Sequence, residues 1–121
     1  MSNPRGKKGW AGEAPVLARL IDRGFFRAFR LRTQGRFDKG DIGGIDGVCI
    51  EVKNVGRYDF PGWMKELRTE KENLEAETGA LVVKPRGVGE TRVGQWWAIL
   101  TLDDYIDLLI RAGYGPHKDE R

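Results

Sequence analysis

The sequence predicts an α/β domain in which a mixed central β-sheet is flanked by helices. Three observations carry this. Apolar residues recur at helical spacing in three separate stretches, 16–21, 63–78 and 102–112. Between them lie short apolar or aromatic runs of strand length, notably VCIEVK at 48–53, ALVVK at 80–84 and QWWAIL at 95–100. At 121 residues the chain is one domain, long enough to bury a core without disulfides or a structural metal.

The elements follow in order. Residues 1–8 combine Ser, Asn, Pro, Gly and three cations and read as a flexible basic arm. Val16, Leu17, Leu20 and Ile21 define a first helix that stops at Gly24. Pro15 fits best in a first turn, which places the regular start near Gly12 or Glu13. FFRAFRLR at 25–32 predicts a strand and TQGRFDKGD at 33–41 a loop. Asp46-Gly47 is a turn signal, so 42–53 reads as a hairpin whose second strand, 48–53, is central. In that strand Cys49, Glu51 and Lys53 share one face and Val48, Ile50 and Val52 the other.

After a loop at 54–62, residues 63–78 predict a helix capped by Gly79, followed by the strand 80–84. A glycine-rich turn at 85–94 leads to the strand 95–100, where Trp96 and Trp97 must point to opposite faces. One of them belongs to the core; the other suits packing against a helix, a subunit contact or base stacking. Thr101 with Asp104 resembles a helix cap, opening a helix over 102–112 and leaving a polar tail at 114–121. The domain proper is 9–113.

Composition narrows the chemistry. Cys49 is the only cysteine and His117 the only histidine. One cysteine cannot assemble a thiolate zinc site, a Ser-His-Asp triad is not expected with the one histidine in the polar tail, and Cys49 reads as a small buried hydrophobe. Any bound metal must be hard and oxygen-liganded, such as Mg²⁺ or Mn²⁺. No apolar run is long enough to span a membrane and no signal peptide is evident, so a cytoplasmic location is expected. Net charge is only +3, but residues 1–40 hold ten cations against Glu13, Asp22 and Asp38. That asymmetry suggests a polyanionic partner.

Glu51 and Lys53 raise the sharpest question, because charged groups on a buried strand are costly unless paired or metal-bound. A hairpin turning at Asp46-Gly47 brings Asp41 back beside Glu51. Two adjacent carboxylates repel, and a hard dication resolves the repulsion. A neighbouring lysine can orient or deprotonate a water. The set suits metal-assisted phosphodiester hydrolysis. The competing reading is a cross-strand ion pair on a solvated sheet face, with Glu13 an ordinary first-turn acid. Glu66 stands in a similarly charged stretch and by itself carries no signal.

The pattern of KKGWAGEAPVLARLIDRGF at 7–25, Arg30, Gln34-Gly35, GDI at 40–42, IEVKN at 50–54 and ALVVKPRG at 80–87 resembles the PD-(D/E)XK nuclease superfamily. It is most similar to the archaeal-type and phage Holliday junction resolvases. The likeness covers residues 7–87 and implies a restriction-endonuclease-like αβββαβ core. It implies that Asp41 and Glu51 bind Mg²⁺, with Mn²⁺ as a substitute, and that the Val52 carbonyl completes the protein ligands. It also implies that Lys53 positions the attacking water and that Glu13 projects toward the metal as a further ligand or catalytic group. Gly40 stands where the strict motif has proline, and Gln34 where resolvases often carry a serine.

Phosphate contacts are expected from Lys7 and Lys8 in the arm and from Arg30, Arg32, Arg36 and Lys39 around the loop. The resemblance implies that Arg30 and Lys84, at the end of strand 80–84, approach phosphates, and Gln34 in the loop and Arg86 in the following turn are counted as DNA contacts with them. A four-way junction is two-fold symmetric, so paired cuts need two active sites and a homodimer is the economical assembly. Three rival readings stay open. They are a superfamily nuclease acting on linear duplex, a DNA-binding module without catalysis, and a structural protein with a solvated ion pair.

Overall fold

Beyond each helix, packing and backbone bonding decide where the elements begin and end. The computed structural model describes residues 4–31 and 38–115, with side chains from Gly12 onward. Helix α1 runs Pro4–Asp22, well ahead of the expected start, so Pro15 lies inside it. An interior proline forfeits one helical hydrogen bond; burial of Val16 against the sheet works in the opposite direction. Residues 4–8, expected in a flexible arm, form the first turns of this helix. Gly24 ends α1 as expected, at φ 107.

Strand β1 is only Phe29–Arg30, far shorter than the 25–32 expected. The residues before it are used otherwise: the Phe25 amide donates to the Leu20 carbonyl and the Ala28 amide to that of Phe25. β2 (Ile42–Gly43) and β3 (Val48–Lys53) form the expected hairpin, with Gly47 at φ 78 in the turn. Helix α2 (Phe60–Leu74) starts earlier than expected because Asp59 caps it, accepting from the Gly62 amide. It stops at Glu75, which takes φ 57, and not at Gly79. The Ala76 amide closes on the Lys71 carbonyl, and this forces the turn before Gly79 is reached.

β4 (Thr78–Val83) therefore begins two residues before its expected start. Part of the glycine-rich turn winds into a 3₁₀ segment, Glu90–Gln95, leaving β5 as Trp97–Ile99. Helix α3 (Leu102–Arg111) is capped by Thr101, whose hydroxyl accepts from the Asp104 amide.

The five strands form one sheet in the order β1-β2-β3-β4-β5. β3 and β4 are parallel, joined through α2; the other three pairings are antiparallel. This is a single α/β domain with a mixed sheet flanked by helices. One core lies under α1, built from Val16, Ala28, Ile42, Ile50, Val52 and Trp96. The other lies under α2, built from Cys49, Trp63, Leu67, Leu81 and Val83. The two faces of β3 feed the two cores, as its alternation requires. Among the described residues no helix is long and apolar enough to cross a membrane.

Asp104 does more than begin α3. Its buried carboxylate receives Lys71 Nζ at 2.6 Å and the Gly79 amide at 3.2 Å, tying α3 to α2 and β4. Much of the remaining apolar surface of α3 is open: Leu102, Tyr105, Ile106, Leu108 and Ile110 are all exposed. Removing Asp104 would strand a partly buried ammonium and a buried amide. Asp104→Ala is expected to lower the unfolding free energy by roughly 3 kcal/mol, measured by urea denaturation.

Candidate metal centre

Two glycines let the acidic residues converge. A Cβ at Gly12 would lie 2.8 Å from Asn54 Cβ, so its absence lets α1 approach β3 and presents Glu13 to the sheet. Gly40 has φ 99, and a Cβ there would lie 2.9 Å from the Ile50 carbonyl oxygen. The next residue, Asp41, is thereby held against β3. Its amide donates to the Ile50 carbonyl at 2.8 Å, and its Oδ2 accepts from the Val52 amide at 2.7 Å. Strand β2 does not extend past Ile42 on this side, so the Asp41 side chain satisfies an amide that no backbone carbonyl reaches.

Asp41 thus sits where the sheet is interrupted, between its two faces. Its carboxyl contacts that of Glu13 on the α1 side and that of Glu51 on the α2 side. Glu51 in turn contacts Glu70 of α2. Glu13, Asp41, Glu51 and Glu70 are all buried. Ligand oxygens of Asp38, Glu51 and Glu70 lie within 4.8 Å of one another, and this trio can hold a cation.

The electrostatics follow from crowding acids away from water. Burial, then Asp41, pushes Glu13 up to about 7, against the pull of Arg30. Burial also raises Glu70 to about 7, although its contact with Glu51 opposes the rise. Glu51 is raised furthest, by burial first and then by contact with Glu70 and Asp41. Asp38 is raised by burial as well. Oε2 of Glu51 and Oε2 of Glu70 are buried and meet no hydrogen-bond donor among the described residues. Carboxylates in contact without donors need a proton or a cation between them. An all-oxygen acidic set of this kind fits a hard dication such as Mg²⁺ or Mn²⁺. Cys49 offers no thiolate alternative, since burial pushes its thiol up to about 12.

Lys53 flanks the cluster on the same face of β3. Its Nζ lies 2.9 Å from Glu66 Oε2 and 5.8 Å from the centroid of the Trp63 ring. Burial alone would lower its pKa; the hydrogen bond to Glu66 and the charges of Glu51 and Asp41 outweigh that and raise it. Lys53 is therefore a held ammonium. A cleft of about 330 Å³, lined by residues including Asp38, Lys65, Glu66, Glu70 and Asn73, opens on this side.

Glu13, Asp41, Glu51 and Lys53, expected from the sequence, are thus brought into one neighbourhood. Arg30 forms an ion pair with Glu13, so it braces an acid as well as lying near the surface. Lys39 is exposed beside Asp38, and Lys84 follows directly from β4, its amide donating to the Lys53 carbonyl at 3.0 Å. Arg86 is turned toward loop 54–59. Arg32, Gln34 and Arg36, and the side chains of Lys7 and Lys8, lie outside the described residues. The Val52 amide is engaged by Asp41. Three residues were missed from the sequence as parts of the site: Asp38, Glu66 and Glu70. Only Glu66 and Glu70 left a trace, as acids one turn apart on α2.

Compared with known protein families, with curated proteins and with solved structures, the chain finds no match.

Because Glu13 and Glu70 titrate near 7 in the fold and near 4.5 when unfolded, the folded state holds extra protons in that interval. Stability without metal is therefore expected to be greatest below pH 4.5 as far as these groups are concerned, and to fall as pH rises through about 7. Added Mn²⁺ should reverse the loss, by about 2.7 kcal/mol at a hundred times its dissociation constant. Thermal melts across pH with Mn²⁺ or EDTA measure both. Glu51→Gln should melt higher than wild type in EDTA and lose most of the Mn²⁺ response.

Proposed function

We propose that the protein is a Mg²⁺-dependent endonuclease that cuts phosphodiester bonds in branched DNA. The observation that supports this most is the contact of Glu51, whose buried Oε2 meets no donor, with Asp41 and Glu70 beside a held Lys53. A scaffold that needed only an ion pair would have no use for a second and third buried acid. The order α1-β1-β2-β3-α2-β4 is also the αβββαβ order that the family resemblance implies.

In this reading Asp41 and Glu51 hold the dication, with Glu70 and Asp38 as near neighbours and Glu13 and the Val52 carbonyl as the further ligands the resemblance implies. When bound, the metal supplies Lewis acidity toward a phosphate oxygen and a water of lowered pKa. Lys53 contributes a fixed positive charge where negative charge grows on the phosphate, and it orients the attacking water. Glu66 fixes the rotamer of Lys53, as a partner that acts through it. Arg30 balances Glu13 and so limits the net negative charge met by incoming DNA. Lys39, Lys84 and Arg86 supply phosphate contacts, joined by Lys7, Lys8, Arg32, Gln34 and Arg36 on the strength of the sequence.

Junction symmetry makes a homodimer the economical assembly, and the open apolar face of α3 supports an assembled state. Sedimentation analysis is expected to return twice the 13.7 kDa chain mass. Tyr105→Glu should shift that mass toward the monomer.

The deciding experiment is cleavage of a labelled four-way junction with Mg²⁺ or Mn²⁺, beside linear duplex. Symmetric nicks confined to the junction are expected, reduced at least about a hundredfold by Asp41→Asn and by Glu51→Gln. Equal cutting of linear duplex would remove the branched-substrate part of the proposal. Tight junction binding with no cutting under either metal would leave a DNA-binding module.

A further inference from the structure

The sheet register aligns Lys53 of β3, Val83 of β4 and Trp97 of β5 in one cross-strand row. All three side chains stand on the α2 face of the sheet. Two inter-strand steps of about 4.8 Å place Trp97 roughly 10 Å from Lys53 along that row. Trp96 points the other way and is buried in the α1 core, while Trp97 is 47 % exposed. A large aromatic surface is therefore left open about 10 Å from the candidate catalytic lysine.

Trp97 is not isolated. Its ring centroid lies 6.4 Å from that of Tyr58, which lies 5.3 Å from Phe60 and 6.2 Å from Trp63. Phe60 and Trp63 brace each other edge to face, and Trp63 carries Lys53 over its ring. The Tyr58 hydroxyl accepts from the Arg86 amide, and the Arg86 guanidinium both donates to the Gly56 carbonyl at 2.7 Å and lies 5.7 Å from the Tyr58 ring. The ring shelf is thus fixed from beneath by α2 and from the side by Arg86.

Its charge surroundings favour a polyanion. The two loops beside the shelf, 54–59 and 84–89, carry Arg57, Lys84 and Arg86 against the single acid Asp59, and that carboxylate is occupied in capping α2. Aromatic faces flanked by cations are the recurrent device for holding unpaired bases, because every nucleotide has a base with a π-face and a backbone phosphate. An apolar protein partner would be better served by the cation-free face of α3.

We infer that Trp97, supported by Tyr58 and flanked by Arg86, is a stacking platform for an unpaired base of the DNA whose backbone is presented to Lys53. This rests on the proposed nuclease reading and names a second contact for the same substrate. It gives the branched-DNA preference a physical source: a branch point can release a base for stacking, whereas continuous duplex must first break a pair.

The test is binding, so that it does not depend on cutting. The full chain is titrated by anisotropy into a labelled duplex with a single-stranded branch, and into fully paired duplex of equal length, in Ca²⁺. Trp97→Ala is expected to weaken binding to the branched probe by about 5- to 150-fold and to leave paired duplex within about twofold. Trp97→Phe, which keeps a ring and controls for folding, should retain most of the affinity. A 2-aminopurine in the single strand should be quenched by wild type and not by Trp97→Ala. Wild-type affinity in Trp97→Ala, an equal loss on both probes, or failure of the wild type to bind the branched probe would each overturn the platform. So would a Trp97→Ala chain that changes its sedimentation mass, which would make Trp97 a subunit contact. If the platform fails while junction cutting persists, the nuclease reading stands without it; if binding follows the ring and nothing is cut, the reverse holds.

Discussion

The free energy of placing Glu51 in the middle of β3 shapes most of what surrounds it. A carboxyl group that is buried, meets no donor at Oε2 and touches two other carboxyls cannot be rationalised as part of an apolar core. Hydrophobic burial elsewhere has to offset it. The two cores do so from opposite faces: Ile50 and Val52 of the same strand lie under α1, while Cys49 with Leu81 and Val83 of β4 lies under α2. The strand that carries the least comfortable residue is thus packed on both faces. Alternation makes this possible, because a single strand can serve a core on one face and a polar site on the other.

The surrounding architecture then reads as a set of devices for bringing acids together without collapse. Gly12 lets a helix close on the sheet, and Gly40 lets the chain turn under Asp41. Asp41 replaces a missing backbone acceptor, so its position is set by a main-chain hydrogen bond and not by rotamer preference alone. Arg30 and Lys53 sit at opposite ends of the cluster, each paired to an acid that fixes it. The cations limit the repulsion, and a hard dication on Glu51 and the acids around it would relieve what is left.

The same geometry separates two kinds of surface. The α2 face near Lys53 is aromatic and cationic; α3, at the far edge of the sheet, is aliphatic with acidic residues in its first turn. The first is the surface proposed to meet nucleic acid, and the second the one proposed to meet another copy of the chain. This division follows from topology: β5 is an edge strand, so its side chains on the α2 face are only partly covered, and the helix that follows it has little of the domain to pack against.

Strand patterning, the Asp-Gly turn and the single cysteine and histidine were enough to determine an α/β domain, a central β3 with Glu51 and Lys53 on one face, and a hard-metal preference for any site. These depend on local period and on composition, which a chain displays directly. Element ends were less legible. β1 shrank because the Phe25 and Ala28 amides were taken by carbonyls nearby in the turn after α1, and α2 stopped at Glu75 because its closing bonds formed before Gly79. Asp38, Glu66 and Glu70 joined the site only through tertiary structure. Asp38 lies in a loop with no pattern to place it, and Glu66 and Glu70 stand on a helix rich in charge, where the choice of which acids face the sheet depends on how α2 is rotated against β3. That rotation is set by Trp63 and Leu67 entering the core. Sequence spacing therefore placed Glu51 with Lys53 on one strand face and Asp41 beside them across the hairpin, and packing alone decided which further acids meet them.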